Sequence, residues 1–275
     1  MNLNATQPIG IFDSGVGGLT VAHAVAQCLP YEEILYFGDT AHAPYGDKSA
    51  LTIQRYCYPI LDFLLGKGCK LILVACNSAT AAAYAKIQTY LAGRALLLGV
   101  IEPVINAIAA RFHDKTIGLI GTKQTVSSQV FAKSIQALPN HLQFKALATP
   151  LLAPIIEENF HHQQALIDMV LALYLQQPAL QGVDALILAC THYPLIKANI
   201  QRYYQNKLTL LDAAEITAME LSKTLTERRL LNPQKRPGSK SFFVSDYTPA
   251  FAAQANQFFG ESVALQVQAL PACED

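Results

Sequence analysis

Leu73-Val74-Ala75-Cys76-Asn77-Ser78 and Ile187-Leu188-Ala189-Cys190-Thr191-His192 are two short apolar runs, each ending in a cysteine followed by polar residues. A run of this length bounded by turn-forming residues reads as a buried strand. The two lie about 110 residues apart, and other segments keep the same distance. Ile9-Gly-Ile-Phe-Asp-Ser14 resembles Ile117-Gly-Leu-Ile-Gly-Thr122, Asp39-Thr-Ala-His-Ala-Pro44 faces Thr149-Pro-Leu-Leu-Ala-Pro154, and the run at 96–100 matches that at 208–211. Four strands therefore recur in order, which predicts two similar α/β halves followed by a βαβ-like tail.

Working outward, strands are expected at 9–12, 34–37, 71–75, 96–100, 116–120, 144–148, 185–189, 208–211, 242–245 and 263–267. Their apolar faces are continuous rather than alternating, as in parallel sheets covered by helices on both sides. Amphipathic stretches at 19–29, 79–91, 126–138, 166–176 and 214–225 supply such helices.

The chain has 275 residues, 52% hydrophobic and 15% charged, with 20 basic against 20 acidic side chains. That length suffices to bury roughly 70–75% of the unfolded surface. Zero net charge gives no footprint for nucleic acid or an anionic membrane surface. The longest apolar runs are six or seven residues, against roughly 18 for a membrane span. The first twenty residues contain no Lys or Arg, so they do not read as a signal peptide. A cytoplasmic protein with reduced thiols is expected.

Ligands of open parallel sheets sit beyond the carboxyl ends of the strands. There the first half places Asp13-Ser14-Gly15, Gly38-Asp39-Thr40 leading to Pro44-Tyr45-Gly46, and Cys76-Asn77-Ser78. The second half places Gly121-Thr122, Thr149-Pro150 leading to Glu157, and Cys190-Thr191-His192. Such a set suits a small, charged, hydrogen-bonding substrate. Asn77 and Ser78 are good N-caps, and a thiol at a helix N-terminus is expected to have its pKa lowered below about 8.5. Cys76 and Cys190 are thus candidate bases, with Asp13, Glu157 and His192 placed to hold or receive a thiol proton. Cys28, Cys57 and Cys69 read as packing residues, Cys273 as a terminal one, and His161-His162 as solvated surface.

Gly15-Val-Gly17-Gly18-Leu-Thr20 imitates a dinucleotide-binding turn, and a nucleotide-binding oxidoreductase is the rival reading from another class. Thr20 stands at its third position, and Asp13 and Ser14 crowd the pyrophosphate site. No Walker A lysine or Gly-x-Ser-x-Gly elbow occurs. Cys190 and His192 supply two zinc ligands at most, so no metal is expected.

Taken together, Phe12-Asp13-Ser14-Gly15-Val16-Gly17-Gly18-Leu19, Gly38-Asp39-Thr40 with Pro44-Tyr45-Gly46, Cys76-Asn77-Ser78-Ala79-Thr80 and Cys190-Thr191-His192-Tyr193-Pro194 resemble the glutamate racemases of the cofactor-independent aspartate/glutamate racemase superfamily. Ser78 stands where threonine is usual and keeps the hydroxyl. The resemblance implies an α/β fold of two pseudo-symmetric domains, each a mainly parallel sheet flanked by helices, with the active site in the cleft between them. The domains would be 1–98 plus 213–275, the tail returning to the first domain, and 99–212. It further implies interconversion of L- and D-glutamate for bacterial peptidoglycan, without pyridoxal phosphate or metal, by a homodimer. Cys76 would deprotonate D-glutamate and Cys190 L-glutamate, assisted by Asp13, Glu157 and His192. Asp13, Ser14, Pro44, Tyr45, Gly46, Asn77, Ser78, Thr191 and His192 would hold the substrate, with Thr122 and Thr125 contributing. The nearest alternative within the superfamily is a racemase acting on aspartate or another small acid.

Overall fold

A computed structural model describes residues 3–271. In the first half β1 (Ile9–Asp13), α1 (Leu19–Cys28), β2 (Ile34–Gly38), α2 (Ala50–Gly66), β3 (Leu71–Val74), α3 (Asn77–Leu91) and β4 (Leu96–Gly99) alternate along the chain. Then α4 (Glu102–Arg111), β5 (Thr116–Gly121), α5 (Lys123–Ser127), α6 (Val130–Gln136), β6 (Gln143–Ala148), α7 (Leu152–Glu157) and α8 (Gln164–Leu175) follow. They lead to β7 (Ala185–Ala189), α9 (Lys197–Tyr203) and β8 (Thr209–Asp212). The tail adds α10 (Ala213–Glu227), β9 (Lys240–Val244), α11 (Pro249–Phe259) and β10 (Leu265–Val267).

Every ladder is parallel. One sheet has the order β10-β9-β2-β1-β3-β4 and the other β6-β5-β7-β8. The four matched strands thus occupy matched places, β2-β1-β3-β4 in one order corresponding to β6-β5-β7-β8 in the other. The tail lies beside β2 through β9. β1, β2, β3 and β7 are buried along their whole length, because helices cover both faces. One apolar cluster continues through both sheets, joining Leu19 and Val21 of α1, Leu221 and Leu225 of α10 and Leu171 of α8.

Register positions the site. Asp13 is level with Gly38, and Gly121 is level with both Ala148 and Ala189. The residues that leave these strands therefore emerge side by side, including Thr122, Thr149 and Cys190. Two expectations need correction here. The stretch 126–138 is not one helix: the backbone breaks at Gln129, φ +59°, which separates α5 from α6. Cys28, at the end of α1, is exposed rather than packed, whereas Cys57 and Cys69 are buried. Cys273 lies outside the described residues.

Candidate active site

α3 is capped by Cys76 itself rather than by Asn77 or Ser78. Its sulfur is the cap, accepting the Ala79 N–H at 3.4 Å. The Ser14 hydroxyl lies 3.8 Å from the same sulfur. Asp13 leaves β1 beside them, and its Oδ2 accepts the Gly15 and Gly18 N–H groups at 3.2 and 3.0 Å. Its other oxygen, Oδ1, is buried with no partner. A buried unpaired carboxylate oxygen is costly, and this one is free to meet a thiol or an ammonium.

On the other wall, Cys190 Sγ is 3.6 Å from His192 Nδ1. His192 Nε2 is 2.7 Å from Glu157 Oε1 on α7. The Phe258 ring of α11 packs edge-on against the imidazole, centroids 4.9 Å apart. Thr149 and Tyr193 share a 2.6 Å hydroxyl pair beneath this wall. The two walls touch where Ser78 Oγ meets Thr122 Oγ1 at 2.9 Å. They also touch where the Thr20 hydroxyl donates to Thr191 O at 2.7 Å.

Between the walls is a cavity of about 420 Å³. Asp13, Ser14, Pro44, Tyr45, Gly46, Cys76, Asn77, Ser78, Thr122, Glu157, Cys190, Thr191 and His192 all line it. Thr125 does not. It is buried one step behind, donating its N–H to Thr122 Oγ1 at 3.1 Å, its own hydroxyl 3.0 Å away. Tyr45 lines the cavity, but its hydroxyl donates to Asp39 Oδ2 at 2.5 Å. Asn77 Oδ1 is buried and unpartnered. The cavity also takes in Lys123 of α5 and Ala250, Phe251 and Gln254 of α11, which sequence reasoning did not find. Gln254 donates to Glu157 O at 3.1 Å. His161, expected at the surface, is buried beside Gln257 of the same helix, while His162 is exposed. No signal in the sequence places the tail helix over the cleft, since the repeat that organises the halves does not include it.

The Gly15–Thr20 turn has a purpose other than phosphate binding. A Cβ on Gly17 would lie 2.6 Å from Thr191 Oγ1 and 2.7 Å from His192 Nδ1. A Cβ on Gly18 would lie 2.9 Å from Asp13 Cγ. Gly17 lets one wall approach the other, Gly18 lets the turn close over Asp13, and the turn is occupied by protein.

The electrostatics differ between the cysteines. Burial, then the Asp13 carboxylate, push the Cys76 thiol up to about 12, opposite to the lowering expected from its helix position. The Ala79 N–H and the Ser14 hydroxyl pull the other way without prevailing. Burial alone would lower the His192 pKa, but the Cys190 sulfur and Glu157 carboxylate raise it to about 10. Burial raises the Asp13 pKa, against the His192 charge and the Gly18, Gly15 and Ser14 N–H groups. A proton thus rests on Cys76, while a cation stands beside Cys190.

Residues 19–221 match the sequence family described as Asp/Glu/hydantoin racemase. The chain belongs to this family. Among its relatives, the glutamate racemase of Geobacter metallireducens is 40% identical over 92% of both chains. The crystal structure of a Bacillus anthracis glutamate racemase isoform superposes with a TM-score of 0.91 at 32% identity, covering 98% of this chain and 99% of that one. A Francisella tularensis glutamate racemase, described in complex with D-glutamate, superposes with a TM-score of 0.87 at 32% identity over 96% and 98% of the two chains. Racemase family membership and two thiols lining one cavity are mutually consistent, because inverting a carbon requires proton transfer at both of its faces.

Proposed function

We propose that the chain racemises glutamate by a two-cysteine mechanism. The observation that carries this is the pair of sulfurs at matched strand ends of two matched sheets, both lining one cavity. Relatives named glutamate racemase, at about 37–40% identity over nearly the whole chain, support the choice of substrate.

With L-glutamate bound, the Cys190 thiolate removes the α-proton, and the electron pair passes into the α-carboxylate as an enolate. The Cys76 thiol then delivers its proton to the opposite face, breaking S–H and forming C–H. The surroundings support this direction: the His192 imidazole lies 3.6 Å from the Cys190 sulfur, while burial, with the Asp13 carboxylate, keeps the proton on Cys76. With D-glutamate the roles reverse, Cys76 being the base, and the substrate ammonium offsets the Asp13 charge. Glu157 orients His192. Ser14, Asn77, Ser78, Thr122, Thr191 and the 44–46 loop offer the groups for two carboxylates and an ammonium. Thr125 acts only through Thr122.

The same reading takes 1–98 with 213–275 and 99–212 as the two domains, a division supported by sheet membership. It assigns the product to peptidoglycan synthesis in the cytoplasm and expects a homodimer. Among the described residues, no helix is long and apolar enough to cross a membrane.

Circular dichroism of purified protein with L-glutamate and no added cofactor tests the proposal. The ellipticity should decay to zero. A constant signal with glutamate but decay with aspartate would replace this substrate by the shorter acid.

A further inference from the structure

Lys123 and Asp47 both line the cavity, on segments that follow β5 and β2 of the two different sheets. The Lys123 ammonium is 3.1 Å from Asp47 Oδ1, and the two side chains are 62% and 61% exposed. Among the described residues, this is the one ion pair whose partners face each other across the cleft. Its chain neighbours are inner lining residues: Gly46 precedes Asp47, and Thr122 precedes Lys123. Those neighbours are already in contact, since a Cβ on Gly46 would lie 3.0 Å from Thr122 Cβ. The Thr122 hydroxyl also reaches Ser78 at 2.9 Å. One seam therefore runs from a partly buried hydroxyl pair, past Gly46, to an exposed ion pair at the rim.

The other cross-cleft contacts differ in kind. Thr20 meets Thr191 through a buried 2.7 Å hydrogen bond, and Gly17 is pressed against His192 and Thr191 without room for a Cβ. Opening that side would break buried polar contacts and uncover apolar surface. At the rim, breaking the ion pair returns two charges to water, where each is well solvated. A substrate enclosed by both walls has to enter and leave where separation costs least.

We propose that Asp47 and Lys123 form a latch across the cleft mouth. Its breaking admits and releases the substrate, and its closure draws Gly46 and Thr122 together over the bound acid. Both are positioning residues, acting through their neighbours. The latch rests on the racemase reading only for the identity of its substrate.

The test uses Asp47→Asn, Lys123→Met, the double variant, and the charge swap Asp47→Lys with Lys123→Asp. Exposed ion pairs contribute about 0.2–1 kcal/mol, so each single variant should raise KM for glutamate about 1.5- to fivefold, with the loss falling on KM rather than kcat. The double variant should be no worse than either single one, and the swap should recover most of the loss. The wild-type advantage should shrink with added salt. Amide hydrogen exchange at 123–127, which needs no turnover, should quicken equally in both single variants. A lower KM in Asp47→Asn would overturn the latch, because it would mean Lys123 serves the anionic substrate alone. Additive losses, or exchange unchanged in the single variants, would overturn it too. If the wild type fails to racemise glutamate, the racemase reading falls, and the exchange data still decide the latch.

Discussion

Gly17→Ala tests how tightly the fold and the chemistry are joined. The added methyl would sit 2.6 Å from Thr191 Oγ1 and 2.7 Å from His192 Nδ1. Ordinary contact begins near 3.4 Å, so Thr191 must retreat by about 0.8 Å and the imidazole, whose Cε1 lies nearer still, by about 1 Å. Both are tethered. His192 is held by Glu157 at 2.7 Å and by the Phe258 ring, and Thr191 O is held by Thr20 at 2.7 Å. The imidazole also stands 3.6 Å from the Cys190 sulfur, so its retreat loosens that contact. Misplacement of a catalytic group by about 1 Å costs on the order of 100-fold in rate, and overpacking costs about 1–3 kcal/mol of stability. We therefore expect kcat to fall about 100-fold while the chain still folds, which thermal unfolding and steady-state racemisation together measure. A Gly17→Ala protein with wild-type kcat would refute the claim that this glycine exists for the approach of the two walls.

The contacts of His192 with Cys190 and, after it, Glu157 set a pH window. A group whose pKa rises on folding, here from 6.5 to about 10, contributes stability that is full below 6.5 and lost as pH climbs through 10. In Glu157→Gln that loss should be complete at lower pH, and the alkaline limb of the activity profile should shift the same way; unmoved unfolding and activity profiles would oppose this. Thr125→Val should raise KM by a few-fold, about 0.5–1.5 kcal/mol for one hydrogen bond, and a loss as large as that of Thr122→Val would show that Thr125 meets substrate directly. Lys70, fully buried, donates to Glu32 at 2.6 Å and to Leu230 O at 2.8 Å. Lys70→Met should cost about 3–5 kcal/mol of stability in denaturant unfolding, because it strands a buried carboxylate.

Much of this was legible in the sequence because burial writes itself into composition. All ten strands fall where continuous apolar runs place them, and the order β2-β1-β3-β4 recurs as β6-β5-β7-β8 because the repeat was visible in the motifs. The cavity-lining residues at strand ends followed from the rule that ligands sit there. What escaped depends on contacts distant in sequence. The Cys76 thiol is raised, not lowered, because burial and Asp13 outweigh its place at a helix start. Lys123, Phe251 and Gln254 enter the cavity from elements that no local pattern assigns to it. His161 is buried only because α11 lies over it. The break at Gln129 is a single left-handed residue in an otherwise helical pattern.

In the proposed mechanism two opposed sulfurs each handle one face of Cα, and isotope placement tells them apart. L-glutamate turned over in deuterium oxide, stopped at low conversion, should yield D-glutamate carrying deuterium at Cα, while the remaining L-glutamate keeps its hydrogen. The proton taken by Cys190 and the deuteron given by Cys76 belong to different groups. Equal labelling of both enantiomers, or product that retains the original hydrogen, would mean one base serving both faces and would contradict the account.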